Sequence, residues 1–78
     1  MADAESVDAL WASLTPRQRE ALITYARVHY YRGVADAMGI GVSGVRKYLL
    51  ATYRVLGVDG HLGAFVLLGW LTIPEENP

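Results

Sequence analysis

Arg46, Lys47 and Arg54, with Ser43 one turn before the first two, are the residues whose types and spacing best suit binding chemistry. On a helix from Val42 to Leu56, the residues Val45, Leu49, Thr52 and Leu56 recur at the interval of one helix face and point inward. Ser43, Arg46, Lys47, Leu50 and Arg54 then point outward. A guanidinium can bridge the two acceptors of guanine with paired hydrogen bonds, and cations on an exposed helix also suit phosphate oxygens. Tyr48 and Tyr53 carry phenols that could donate to phosphates or fill the core, and the sequence leaves both open. The plain alternative for Arg46 and Lys47 is a solvated helix face.

Other chemistries find no support. The chain has no cysteine, so it carries no disulfide and no thiolate site for zinc or redox work. His29 and His61 are far apart, and neither has a second His or a carboxylate at ligand spacing. No Ser-His-Asp order, glycine-rich phosphate loop or close carboxylate pair occurs. No metal, cofactor or catalytic residue is therefore expected.

The elements that must position the cations follow from spacing. Asp3 to Leu14 reads as a short helix, with Val7, Leu10, Trp11 and Leu14 on one face. Trp11 is read as a core or lid residue. Leu14-Thr15-Pro16-Arg17-Gln18 is a helix start: Thr15 caps, Pro16 suits the first helical position, and Gln18 completes a capping box. The helix that follows turns Ala21, Leu22, Tyr25, Ala26 and His29 to one side. Its end is unmarked, because Val28-His29-Tyr30-Tyr31 contains no Gly, Pro, Asn or Ser. Tyr30 and Tyr31 are either core filling or aromatic contacts to a partner.

Arg32 to Met38 reads as the next helix and Gly39-Ile40-Gly41 as a tight turn into Val42–Leu56. Ala35 is small enough for two helices to cross closely. Gly39 suits a left-handed helix stop, and Val34, Met38, Ile40 and Val45 supply an apolar wedge. Gly57 stops the long helix. Asp59 is expected to cap a last helix from His61 to Leu71, and Pro74 to Pro78 reads as a frayed tail. The division expected is residues 1–13 as a helical extension, 14–73 as the domain and 74–78 as the tail.

Composition bounds the rest. Seventy-eight residues make one domain, near the lower limit for folding on a hydrophobic core alone. The acidic start lacks a secretory pattern, and the apolar run from His61 to Ile73 is shorter than the ~20 residues of a membrane span. A cytoplasmic protein without membrane contact is expected. The net charge of −1 hides a division. All seven Lys and Arg lie between Leu14 and Ile73, opposed there only by Glu20, Asp36 and Asp59. The flanks carry Asp3, Glu5, Asp8, Glu75 and Glu76. A basic centre with acidic ends suits a small DNA binder better than the total does.

From Leu14 to Leu71 the chain resembles, without gaps, the LuxR-type (GerE-like) helix-turn-helix domain of bacterial transcription regulators. The residues that carry this are Leu14-Thr15-Pro16-Arg17-Gln18-Arg19-Glu20, Val34-Ala35, Met38-Gly39-Ile40, Val45-Arg46, Tyr53-Arg54, Leu56-Gly57-Val58 and Ala64 in an apolar last helix. The resemblance implies an all-α bundle of four to five helices. It implies a recognition helix in the major groove of double-stranded DNA, and a homodimer formed through the last helix on a two-fold site. It puts Arg46 and Lys47 on groove-facing positions, Arg32 where a phosphate-contacting Lys is common, and Arg54 near the backbone. Ser43 and Tyr48 complete the expected DNA-binding set. Departures are also clear. Gly41 replaces a Ser or Thr cap, Gly44 a Thr and Tyr48 a His, while Leu50, Ala51 and Val55 stand at generally polar or basic positions.

The last helix supports a second reading. It is apolar nearly all round, whereas a surface helix shows one stripe. If Leu62, Phe65 and Leu68 or Leu71 pack inward, Val66, Leu67 and Trp70 are at least partly outward. Together with Leu62 these form the expected dimer or partner interface. The alternative is that Val7, Leu10 and Trp11 enclose the helix. The competing function is thus a protein-interaction module that keeps the fold but binds a transcription regulator or RNA polymerase, as an inhibitor.

Overall fold

In the computed structural model, which describes residues 4–70, five helices follow one another with no strand among the described residues: α1 (Ala4–Ala12), α2 (Pro16–Val28), α3 (Tyr31–Met38), α4 (Val42–Leu56) and α5 (His61–Leu68). The chain is an all-α bundle. Its centre is α4, against which α2 and α3 pack, with α1 and α5 touching it as well. Leu22, Val34, Val45, Leu49 and Thr52 are fully enclosed. Each enclosed Leu or Val removes enough apolar surface from water to stabilise the fold by roughly 2 kcal/mol. Val45, Leu49, Thr52 and Leu56 are all buried, so the inward face of α4 is the one its spacing predicts.

The start of α2 is closed on both sides. The Gln18 amide donates to Thr15 Oγ1 at 3.1 Å, and the Thr15 amide donates to Gln18 Oε1 at 2.9 Å, with Pro16 at the first helical position. Its end is closed by His29, which takes the left-handed conformation at φ 65° and donates its amide to the Tyr25 carbonyl at 2.8 Å. His29 is exposed, because a helix stop in this conformation swings it off the face that Ala21, Leu22, Tyr25 and Ala26 share. Tyr30 then runs extended into α3.

The turn from α3 to α4 uses Gly39 at φ 69°, a conformation that costs a non-glycine residue about 1 kcal/mol. The Ile40 amide returns to the Ala35 carbonyl at 3.0 Å, and Ile40 packs against the core. Gly41 stands at the cap position of α4 and offers no side-chain acceptor. The wedge of Val34, Ala35, Met38 and Val45 is buried as expected.

Three helix boundaries and one cap differ from expectation: α1 ends at Ala12 rather than Leu14, and α3 begins at Tyr31 rather than Arg32. Gly60, not Asp59, precedes the first turn of α5, and no side chain caps it. The helix stops at Leu68 rather than Leu71, because Gly69 turns left-handed at φ 77° and the Trp70 amide closes onto the Phe65 carbonyl at 2.8 Å. Asp3, Leu71 and the tail from Pro74 to Pro78 lie outside the described residues. No helix among the described residues is long and apolar enough to cross a membrane.

Candidate functional site

With its inner face fixed by the core, α4 presents Ser43, Arg46, Lys47, Leu50 and Arg54 to solvent. The helix contains no acidic residue. Lys47 and Arg54 make no hydrogen bond or ion pair among the described residues. The Arg46 guanidinium lies 5.7 Å from the centre of the Tyr31 ring, and Tyr31 in turn packs edge-on against Tyr25 at 5.6 Å. The first residue of α3 therefore steadies the Arg46 guanidinium without neutralising it. Arg32, next to Tyr31, is exposed and stands 3.8 Å from Asp36, one turn along α3. A long, solvated pair of this kind contributes little and leaves the guanidinium accessible.

The two tyrosines separate. Tyr48 is half-buried off the outward stripe, with the Arg17 guanidinium 5.9 Å above its ring. Its carbonyl accepts from Thr52 Oγ1 at 2.7 Å. Tyr53 belongs to the core, and burial, helped by neighbouring Tyr31 and Tyr25, pushes its phenol above the ordinary tyrosine range. Of the six expected DNA contacts, Ser43, Arg46, Lys47 and Arg54 share the outer surface of α4, Arg32 stands on α3, and Tyr48 packs inward.

Not every cation in the basic centre is free for a ligand. The Arg17 guanidinium donates to Glu20 at 2.9 Å and to the Met38 carbonyl at 3.2 Å, tying α2 to the end of α3. Its pKa is raised, chiefly by that bond to Glu20 and then by Tyr48. Arg19 Nη1 donates to the Leu14 carbonyl at 2.7 Å and reaches those of Trp11 and Ala12 at 3.4 and 3.5 Å. Both are fold residues, and no spacing rule marks them as such.

The expected α5 interface also divides. Leu62 is 58% and Val66 47% exposed, whereas Leu67 packs against the core together with Leu68. Leu67 is thus half-buried, with part of its side chain still facing outward. Ala64 and Phe65 are the buried residues of α5, and Leu62 is not. Trp70, 40% exposed, meets Trp11 edge-on at 5.4 Å. Trp11 therefore covers one end of α5 and leaves the Leu62/Val66 side open. Leu50 and Val55 add exposed apolar surface on α4, Leu50 at 51%. No cluster of three or more His, Asp or Glu among the described residues is placed to hold a metal ion.

No protein-family model matches the chain, and no curated protein or solved structure is significantly similar to it.

Proposed function

We propose that this chain is a small, non-catalytic transcription regulator of the LuxR-type helix-turn-helix class, binding double-stranded DNA with α4 in the major groove. The observation that carries the reading is the outer face of α4. Four hydrogen-bonding side chains, three of them cationic, stand together there with no acidic neighbour on the same helix. The helix behind them is held on its other side by the most enclosed residues of the molecule. Arg46 and Lys47 reach base edges or phosphates, Ser43 and Arg54 meet the backbone, and Arg32 adds a phosphate contact from α3. Leu62 and Val66 join two copies on a two-fold site, each presenting α4 to one half-site.

Binding to promoter fragments and to random DNA over a salt series tests this. Affinity is expected to fall steeply with salt, and Arg46→Ala with Lys47→Ala is expected to reduce the slope of log K against log salt by about 2. Absence of binding at low salt, or binding indifferent to both substitutions, would overturn it.

A second reading is favoured by the exposed Leu50, Val55, Leu62 and Val66. It makes the protein a helical module that docks on a regulator or RNA polymerase. In that case Leu62→Asp with Val66→Asp abolishes function in the host while Arg46→Ala leaves it intact. Under the DNA reading the same pair lowers the mass in solution from dimer to monomer and weakens DNA binding.

A further inference from the structure

We propose that the cleft between α1 and the end of α5 binds a small alkylammonium cation of about the size of a trimethylammonium group. Its walls are Val7, Asp8, Trp11, Leu68 and Trp70, and it encloses about 220 Å³. That is smaller than the roughly 300–1,000 Å³ of pockets for larger ligands. Trp11 and Trp70 meet at an interplanar angle of 75°, so their indoles form two sides of a corner. The electron-rich faces of indole attract cations, and tryptophan does so best among the aromatic residues. Val7 and Leu68 supply methyl groups that an alkylated ammonium tolerates and a bare, strongly hydrated metal ion does not. Asp8 adds a carboxylate with no hydrogen-bond or ion-pair partner among the described residues.

Charge complementarity favours this occupant over an anion or a neutral apolar molecule. Neither α1 nor α5 contains Lys or Arg, and the nearest cation in contact with α1, Arg19, is already engaged by the Trp11, Ala12 and Leu14 carbonyls. The first Lys or Arg in the chain is Arg17 and the last is Arg54. Of the acidic residues outside that span, Asp8 lines the cleft. The inference is independent of any nucleic-acid binding by α4.

Trp11 and Trp70 are the chain's only tryptophans, so intrinsic fluorescence reads the cleft directly. Choline chloride and tetramethylammonium chloride are titrated against sodium chloride at matched ionic strength and against the uncharged carbon isostere of choline. A saturable emission change is expected with both ammonium salts and with neither control. Asp8 is exposed, so Asp8→Asn and Asp8→Lys keep the fold, which circular dichroism checks. The first is expected to weaken half-saturation about tenfold and the second to abolish it. No saturable change, equal binding of the isostere, or wild-type binding by both variants would overturn the proposal. So would a response confined to phosphatidylcholine vesicles, which would assign the cleft to a membrane surface.

Discussion

At the scale of single residues, side chains that look alike in sequence do different work. Seven Lys and Arg make the chain's centre basic, yet Arg17 and Arg19 satisfy carbonyls and hold helices together. Tyr53 and Tyr48 lie one and a half turns apart and neither joins the outward stripe. The fate of Tyr53 gives a pH prediction. Its phenol is held neutral by burial, so its folded pKa lies above the unfolded value of about 10. A raised pKa contributes stability below the unfolded value and loses it as pH rises, because the unfolded chain can then release the proton more readily. Stability is expected to fall above about pH 10, and Tyr53→Phe is expected to flatten that fall, as read from denaturant midpoints across pH. Equal slopes for the two proteins would contradict it. His29 shows what single-residue reading misses. Glycine or asparagine normally marks a left-handed stop, and a histidine there carries no such signal.

At the scale of elements, the sequence was most readable where period and caps agree. α4 begins at Val42 and ends at Leu56 as its spacing and Gly57 predict, and α2 begins at its capping box. α5 was harder for a physical reason. With Leu62, Ala64, Phe65, Val66, Leu67 and Leu68 nearly all apolar, the pattern does not single out a buried face, so the inward and outward assignments of Leu62 and Leu67 had no periodic basis. Gly69 was the signal for its end, obscured by an apolar run that continues past it. The glycines of the α3–α4 turn differ in kind. Gly39 holds a left-handed φ with open space around it, so Gly39→Ala is expected to cost about 1 kcal/mol through the backbone alone. Gly44 lies inside α4, where an added Cβ would meet Ile40 Cδ1 at an ordinary 3.4 Å. Gly44→Ala is therefore expected to stabilise by about 0.5–1 kcal/mol. Urea titration of both variants reads the two signs, and the same sign for both would refute the distinction.

At the scale of the whole molecule, the chain presents two kinds of surface. The α4 face gathers cations without acids, while α1 carries acids and a tryptophan and α5 is apolar and aromatic, neither with Lys or Arg. The division of charge was visible in sequence. What was not visible is that the two acidic-flanked ends meet, because the Trp11–Trp70 contact spans nearly the full described chain. The bond that ties down α1 has a dynamic consequence. This nine-residue helix is too short to persist alone, since isolated helices below about 12–15 residues are marginal. It stays in place through Leu10 and Trp11 on the core and through Arg19 on its last carbonyls. Amide hydrogens of α1 should therefore exchange through a local opening that leaves α4 closed. Arg19→Ala is expected to speed exchange in α1 selectively, and uniform acceleration along the chain would show instead that the bundle opens as one unit. One wall of the tryptophan cleft is then a part of the protein that opens locally, and an occupant of that cleft would be measured as a slowing of α1 exchange.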